Sequence, residues 1–165
     1  MAMSAGGGVP DPATGHVAEA IRLLNVDDAK VTNITVDGGY FGVHSVGESQ
    51  ASEDLKVEDS VFVNVDTGIR IINSVDAKVQ NNFIVGNYVG DGCYDGIDIV
   101  GLESSNLVNI VNNDITGCAV GIFAATDSPS TELAILGNSV YGNGDGIYLM
   151  QVQDSKVIGN DIDCP

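Results

Sequence analysis

The 165-residue chain has no tryptophan, four prolines and only 6 lysines and arginines. Against those stand 23 aspartates and glutamates, for a formal charge of −17. A field of that sign repels nucleic acid and anionic lipid, and neither is expected as a partner. It also repels polyanionic glycans, except at a local basic patch. The acidity reads first as solubility; the sharper reading is that some carboxylates hold Ca²⁺. No apolar run reaches about eighteen residues, so no membrane-inserted helix is expected. Met1 to Gly8 has neither a basic start nor an apolar core, so no signal peptide is read there. That leader looks like a start rather than structure, and the chain is expected to be a mature or trimmed piece.

What is abundant is Gly (21 residues), with Val and Ile leading a hydrophobic content of 44%. That favours short strands and tight turns over helices. A core motif recurs: Phe41-Gly42-Val43-His44, Thr67-Gly68-Ile69-Arg70, Asp95-Gly96-Ile97-Asp98, Val120-Gly121-Ile122-Phe123 and Asp145-Gly146-Ile147-Tyr148, with a degenerate first copy at Glu19-Ala20-Ile21-Arg22. The repeated glycines are spaced by 26 (42 to 68), 28 (68 to 96), 25 (96 to 121) and 25 (121 to 146) residues. A period in the twenties marks a solenoid.

A second unit, Val-x-x-Asn-x-Ile, follows each Gly-Ile unit. It reads as one strand and appears as Val79 to Ile84, Ile110 to Ile115, Ile135 to Val140 and Val157 to Ile162, with drifted copies at Val31 to Val36 and Val57 to Phe62. The connectors Asn25 to Lys30, Asn73 to Lys78 and Gln151 to Lys156 nearly coincide. Residues 1–15, with Gly6-Gly7-Gly8, Pro10 and Pro12, read as a flexible lead-in, and 16–165 as one domain. Six coils of short strands with no crossover helices predict a parallel β-solenoid. Each strand then lies about 4.8 Å from its counterpart in the next coil.

These units resemble the parallel β-helix repeats of the right-handed, pectate-lyase-like superfamily, over residues 17–164. The resemblance implies an all-β, single-stranded, right-handed parallel β-helix of about six coils. It also implies polysaccharide as the partner and an extracellular, cell-surface or virion-surface location. Two functions stay open. One is a carbohydrate-active module, with lyase, epimerase or glycoside hydrolase chemistry if it is an enzyme. The other is a non-catalytic structural or adhesive β-helix, like a tailspike or surface-protein segment. No catalytic motif specific to one family is present.

Stacking makes column composition informative. Ile21 and Leu23, Ile69 and Ile71, Ile97 and Ile99, and Ile147 and Leu149 should point inward. Asn82, Asn113, Asn138 and Asn160 should form a ladder bonded to neighbouring backbone. The outward column beside the Gly-Ile unit is Arg22, His44, Arg70, Asp98, Phe123, Tyr148. It mixes guanidinium, imidazole, carboxylate and aromatic groups over about 24 Å. Aromatic faces suit sugar rings, and Arg can fork onto a uronate carboxylate. Arg70, Asp98 and His44, at the middle, are the catalytic candidates: Arg70 to neutralise a sugar carboxylate or enolate, His44 or Asp98 to move a proton. Arg22, Phe123 and Tyr148 are the substrate-binding candidates. The bland alternative is a solvated face in which Arg70 and Asp98 simply pair.

A further column, Leu24, Val46, Ile72, Val100, Ala125 and Met150, is apolar. The preferred reading is that the strands bend it inward; otherwise another subunit covers it. Lys30, Lys56, Lys78 and Lys156 each follow an Asp by two residues and should form an exposed charge ladder. Nothing in the sequence requires a cofactor. The acid-rich segment 90–98 comes nearest to a Ca²⁺ loop, with Asp66, Asp91 and Asp95 as the metal candidates. Cys93 and Cys118 should stack on adjacent coils, read as buried free thiols because parallel side chains bond poorly; Cys164 is left over. Asn33-Ile34-Thr35 is a glycosylation sequon, relevant only in a eukaryotic secretory host. With no capping helix after the last strand, the chain is expected either to be cut from a longer protein or to form homo-oligomers through the coil ends or the apolar stripe.

Overall fold

A computed structural model describes residues 2–4, 19–48, 51–86, 93–100, 107–125 and 132–164. Among them there are strands and turns and no helix. The chain winds into a parallel solenoid of about five turns. Six strands line one wall: Ile21–Leu24, Thr35–Val46, Val61–Ile72, Asp95–Val100, Val120–Ala125 and Asp145–Met150. Five circuits join six copies, which is why six coils were expected.

That wall belongs to an 11-stranded sheet. The sheet continues onto a second wall through Phe83–Val85, Asp114–Thr116, Ser139–Tyr141 and Asp161–Asp163. Thr35–Val46 and Val61–Ile72 are long enough, at 12 residues each, to run across both walls. A separate 6-stranded sheet forms the third wall, with Lys30–Thr32, Lys56–Glu58, Lys78–Gln80, Val108–Val111, Leu133–Leu136 and Lys156–Ile158. Of the expected lead-in, Ala2–Ser4 pairs in parallel with Thr35–Asp37, and 5–15 lies outside the described residues.

The Val-x-x-Asn-x-Ile unit is not one strand. It breaks at a corner, so that Val79 sits on the third wall and Ile84 on the second. The residue before the Asn position turns left-handed: Asn33 (φ 55°), Asp59 (φ 49°), Asn81 (φ 53°) and Asn112 (φ 52°), with Gly137 and Gly159 in the last two copies. Asn, Asp and Gly tolerate that region best, and this fixes the composition of the corner. The Asp residues of the Asp-x-Lys connectors serve the same end. Asp28, Asp54, Asp76 and Asp154 all have positive φ.

Apolar side chains from the three walls meet inside. Ile69, Ile97 and Ile122 face Ile84, Ile115 and Val140, and Val57, Val79, Ile110 and Ile135 close the third side, all fully buried. The Asn ladder forms as expected. Asn113 Oδ1 accepts from both Asn82 N and Asn82 Nδ2 at 3.0 Å, and Asn113 Nδ2 donates to Val79 O at 3.0 Å. Asn138 and Asn160 repeat the pattern one coil further. The apolar column does not turn inward as a whole: Ala125 is buried, Val46, Ile72 and Val100 stay half-buried, and Leu24 and Met150 are exposed. Ser45, Ile71, Ile99 and Ala124, one position earlier, take the inward places. On the last coil Leu149, Val157, Ile158 and Ile162 are exposed.

Cys93 and Cys118 are joined as a disulfide, with a Cα separation of 4.7 Å. The expectation of free thiols assumed both side chains project in parallel from regular strand. Cys93 instead has φ 22°, outside the strand region.

Candidate functional site

The mixed outward column assembles in the expected register. Arg22 pairs with His44, His44 with Arg70, Arg70 with Asp98, Asp98 with Phe123 and Phe123 with Tyr148. The residues then divide into two groups.

The lower group centres on Glu19. Its carboxylate is 2.7 Å from His44 Nδ1 and 3.6 Å from Arg22 Nε, and Arg22 Nη2 lies 3.9 Å from Glu48. The His44 ring lies on Phe41, centroids 4.4 Å apart, and the Arg70 guanidinium stands 5.4 Å over the same Phe41 ring. His44 Nε2 is buried without a hydrogen-bond partner. His44 and Arg22 are thus engaged by protein groups and do not border the cleft described next.

The upper group surrounds an open cleft of about 420 Å³, lined by Arg70, Asp95, Asp98, Val100, Val120, Phe123, Asp145 and Tyr148. The rings of Phe123 and Tyr148 are stacked, with centroids 5.6 Å apart and planes within 7°. Arg70 Nε lies 3.2 Å from Asp98 Oδ2. That is a charge contact and not a hydrogen bond, because the angles fail: Arg70 Nε and Asp98 Oδ1 are both buried with no hydrogen-bond partner. Burial pushes the Asp95 carboxyl up to about 6; the negative Asp98 adds to the rise and Arg70 opposes it. Burial likewise raises Asp98, opposed by Arg70 and then His44.

Asp95, one of the metal candidates, lines this cleft, and so does Asp145. Strict strand alternation puts Asp95 and Asp98 on opposite faces. The structure puts both outward, because Gly96 and Ile97 both turn inward. The repeated Gly in front of Ile was the signal available. A Cβ on Gly96 would press on Ile115 Cγ2 and lie 2.6 Å from the Gly121 carbonyl oxygen. Of the other metal candidates, Asp91 lies outside the described residues, and Asp66 is buried away from the cleft lining. Among the described residues no three His, Cys, Asp or Glu side chains are grouped to hold an ion.

Fold and repeat together define a right-handed parallel β-helix of the pectate-lyase-like kind. More particularly, the chain belongs to the family described as periplasmic copper-binding protein (NosD), which matches residues 7–163. No curated protein and no solved structure matches it.

Proposed function

We propose that this protein is a glycan-binding β-helix module whose saccharide lies along the cleft from Arg70 to Tyr148. The observation that carries the reading is the parallel Phe123–Tyr148 stack bordering a cleft of polar side chains. Aromatic faces take the apolar faces of sugar rings while flanking polar groups orient the hydroxyls. The adjacent coils repeat at about the strand spacing, so the groove runs with the polymer and several rings fit end to end. The disulfide agrees with an exported, oxidising location, which the family description gives as the periplasm. Titration of neutral oligosaccharides followed by NMR tests it: shifts should map to the cleft and vanish in Phe123→Ala. Absence of saccharide-induced shifts at these residues would sink the reading.

Cleavage of the bound glycan is favoured by the two carboxyls, Asp95 and Asp98, that line the cleft together with Arg70. Asp95, with its carboxyl near 6, has the strength suited to a general acid near neutral pH. Asp98 beside it supplies the second carboxylate, and Arg70 the positive charge. His44 stands apart, held by Glu19. Release of reducing ends, lost in Asp95→Asn with binding retained, is the expected result.

Copper, named in the family description, does not fit the described side chains. Copper sites use imidazole, thiolate and thioether donors. Cys93 and Cys118 are tied to each other, and His44, whose Nε2 is unpaired, has no second imidazole or thiol grouped with it among the described residues. Met150 and Cys164 are exposed on the last coil. The function proposed above therefore calls on no copper.

A further inference from the structure

We infer that the saccharide this cleft selects carries a free amine, an inference that rests on the glycan-binding reading and names its ligand class. The lining holds three carboxylates, Asp95, Asp98 and Asp145, against the single cation Arg70. A cluster of acids alone would be only a solvated acidic surface. Asp98 is different: it is 5% exposed, and its Oδ1 has no hydrogen-bond donor at all. The cation beside it reaches Oδ2 at 3.2 Å without forming a hydrogen bond. The cleft therefore contains a buried acceptor, Asp98 Oδ1, that the guanidinium beside it leaves unsatisfied, with Arg70 Nε unpaired as well.

An ammonium group matches that vacancy. It brings positive charge to a site with an excess of negative charge, and three N–H donors to acceptors that need them. Arg70, with 34% of its side chain exposed, is the resident cation that the amine displaces from Asp98. The Phe123–Tyr148 stack beyond it offers ring faces both to the sugar and to its cation. A uronate would bring a fourth carboxylate to the same place, and an N-acetyl group would bring neither charge nor the extra donors. The geometry thus orders four kinds of saccharide: amine first, N-acetyl or neutral next, uronate last.

Calorimetric titration with glucosamine oligomers, their N-acetylated forms, cello-oligomers and galacturonate oligomers tests this at a pH where the amine is charged. The glucosamine oligomer should bind roughly ten-fold more tightly than its N-acetylated form. Asp98→Asn, of the same shape but neutral, should erase that preference. Should Asp98→Asn fail to fold, Asp145→Asn, at an exposed position, should reduce it. Arg70→Met should keep or strengthen amine binding. Equal binding of amine and N-acetyl forms, with both lost in Phe123→Ala, would overturn the inference and leave the glycan reading standing. Tighter binding of the uronate would also overturn it. Failure of every oligosaccharide would overturn the glycan reading itself. Binding of Ca²⁺ alone that depends on Asp98 would replace the amine with a metal ion.

Discussion

Asp95 and Asp98 lie three residues apart on one strand, yet both face the same cleft. Ile97, between them, is buried in the core, and a Cβ built on Gly96 would also point inward, onto Ile115. Here Gly96 converts a strand period of two into an outward pair at spacing three, and brings two carboxyls to the cleft that Arg70 also lines.

That proximity has a pH signature. The Asp95 carboxyl is raised from 3.8 to about 6 in the fold, and Asp98 is raised as well. A raised folded pKa means the native state holds its proton more tightly than the unfolded chain does. The associated stability is complete below about pH 4 and is lost as pH rises through about 6. The melting temperature of the protein should therefore fall across that window. Asp95→Asn should flatten the fall, and should stabilise more at pH 7 than at pH 4. Thermal melts of the two proteins at several pH values measure it; an equal effect of the substitution at both ends would show that burial does not perturb Asp95.

The register of the site was legible because the repeat is nearly regular. Once Gly68, Gly96 and Gly121 are aligned, Arg70, Asp98 and Phe123 must stack. Two features were not legible. The inward turn at Gly96-Ile97 depends on how closely the wall approaches Ile115, which no periodicity encodes. The hold of Glu19 on His44 joins residues 25 apart whose side chains had no reason, in one dimension, to be linked. The corner inside Val-x-x-Asn-x-Ile was hidden for a related reason: the left-handed residue at the turn is Asn or Asp in four copies and Gly in only two.

Gly96 itself gives a test of the turned wall. An added methyl group would press on Ile115 Cγ2 and on the Gly121 carbonyl, which is backbone and cannot swing away. Gly96→Ala should cost about 2–3 kcal/mol, the scale of overpacking a filled core. Urea unfolding would report it. A cost near zero would mean the wall has room that the geometry denies.

The Asn ladder should be the costliest polar feature to break in its middle. Asn113 is 1% exposed, and its side chain joins Asn82 N, Asn82 Nδ2, Asn138 Oδ1 and Val79 O. Asn113→Ala strands several buried groups at once, for a loss of about 3 kcal/mol. Asn160→Ala, at the half-exposed end of the ladder, should cost clearly less. Equal losses at the two sites would argue that the amides act independently and not as a ladder.

The disulfide links stability to the cleft. Cys93 and Cys118 are 25 residues apart and each stands two residues before a strand that lines the site, Asp95–Val100 and Val120–Ala125. Closing a loop of that length removes unfolded-state entropy worth about 3 kcal/mol. The bond also fixes the relative height of the two strands that carry Asp98 and Phe123. Paired substitution, Cys93→Ser with Cys118→Ser, should lower stability by about that amount and weaken saccharide binding together. Because both sulfurs are buried, a reductant should act on the native protein only through unfolding. Melts with and without reductant should differ for the parent and coincide for the double variant. If the parent melts identically in both, with reduction verified by mass, the bond does not hold these coils together.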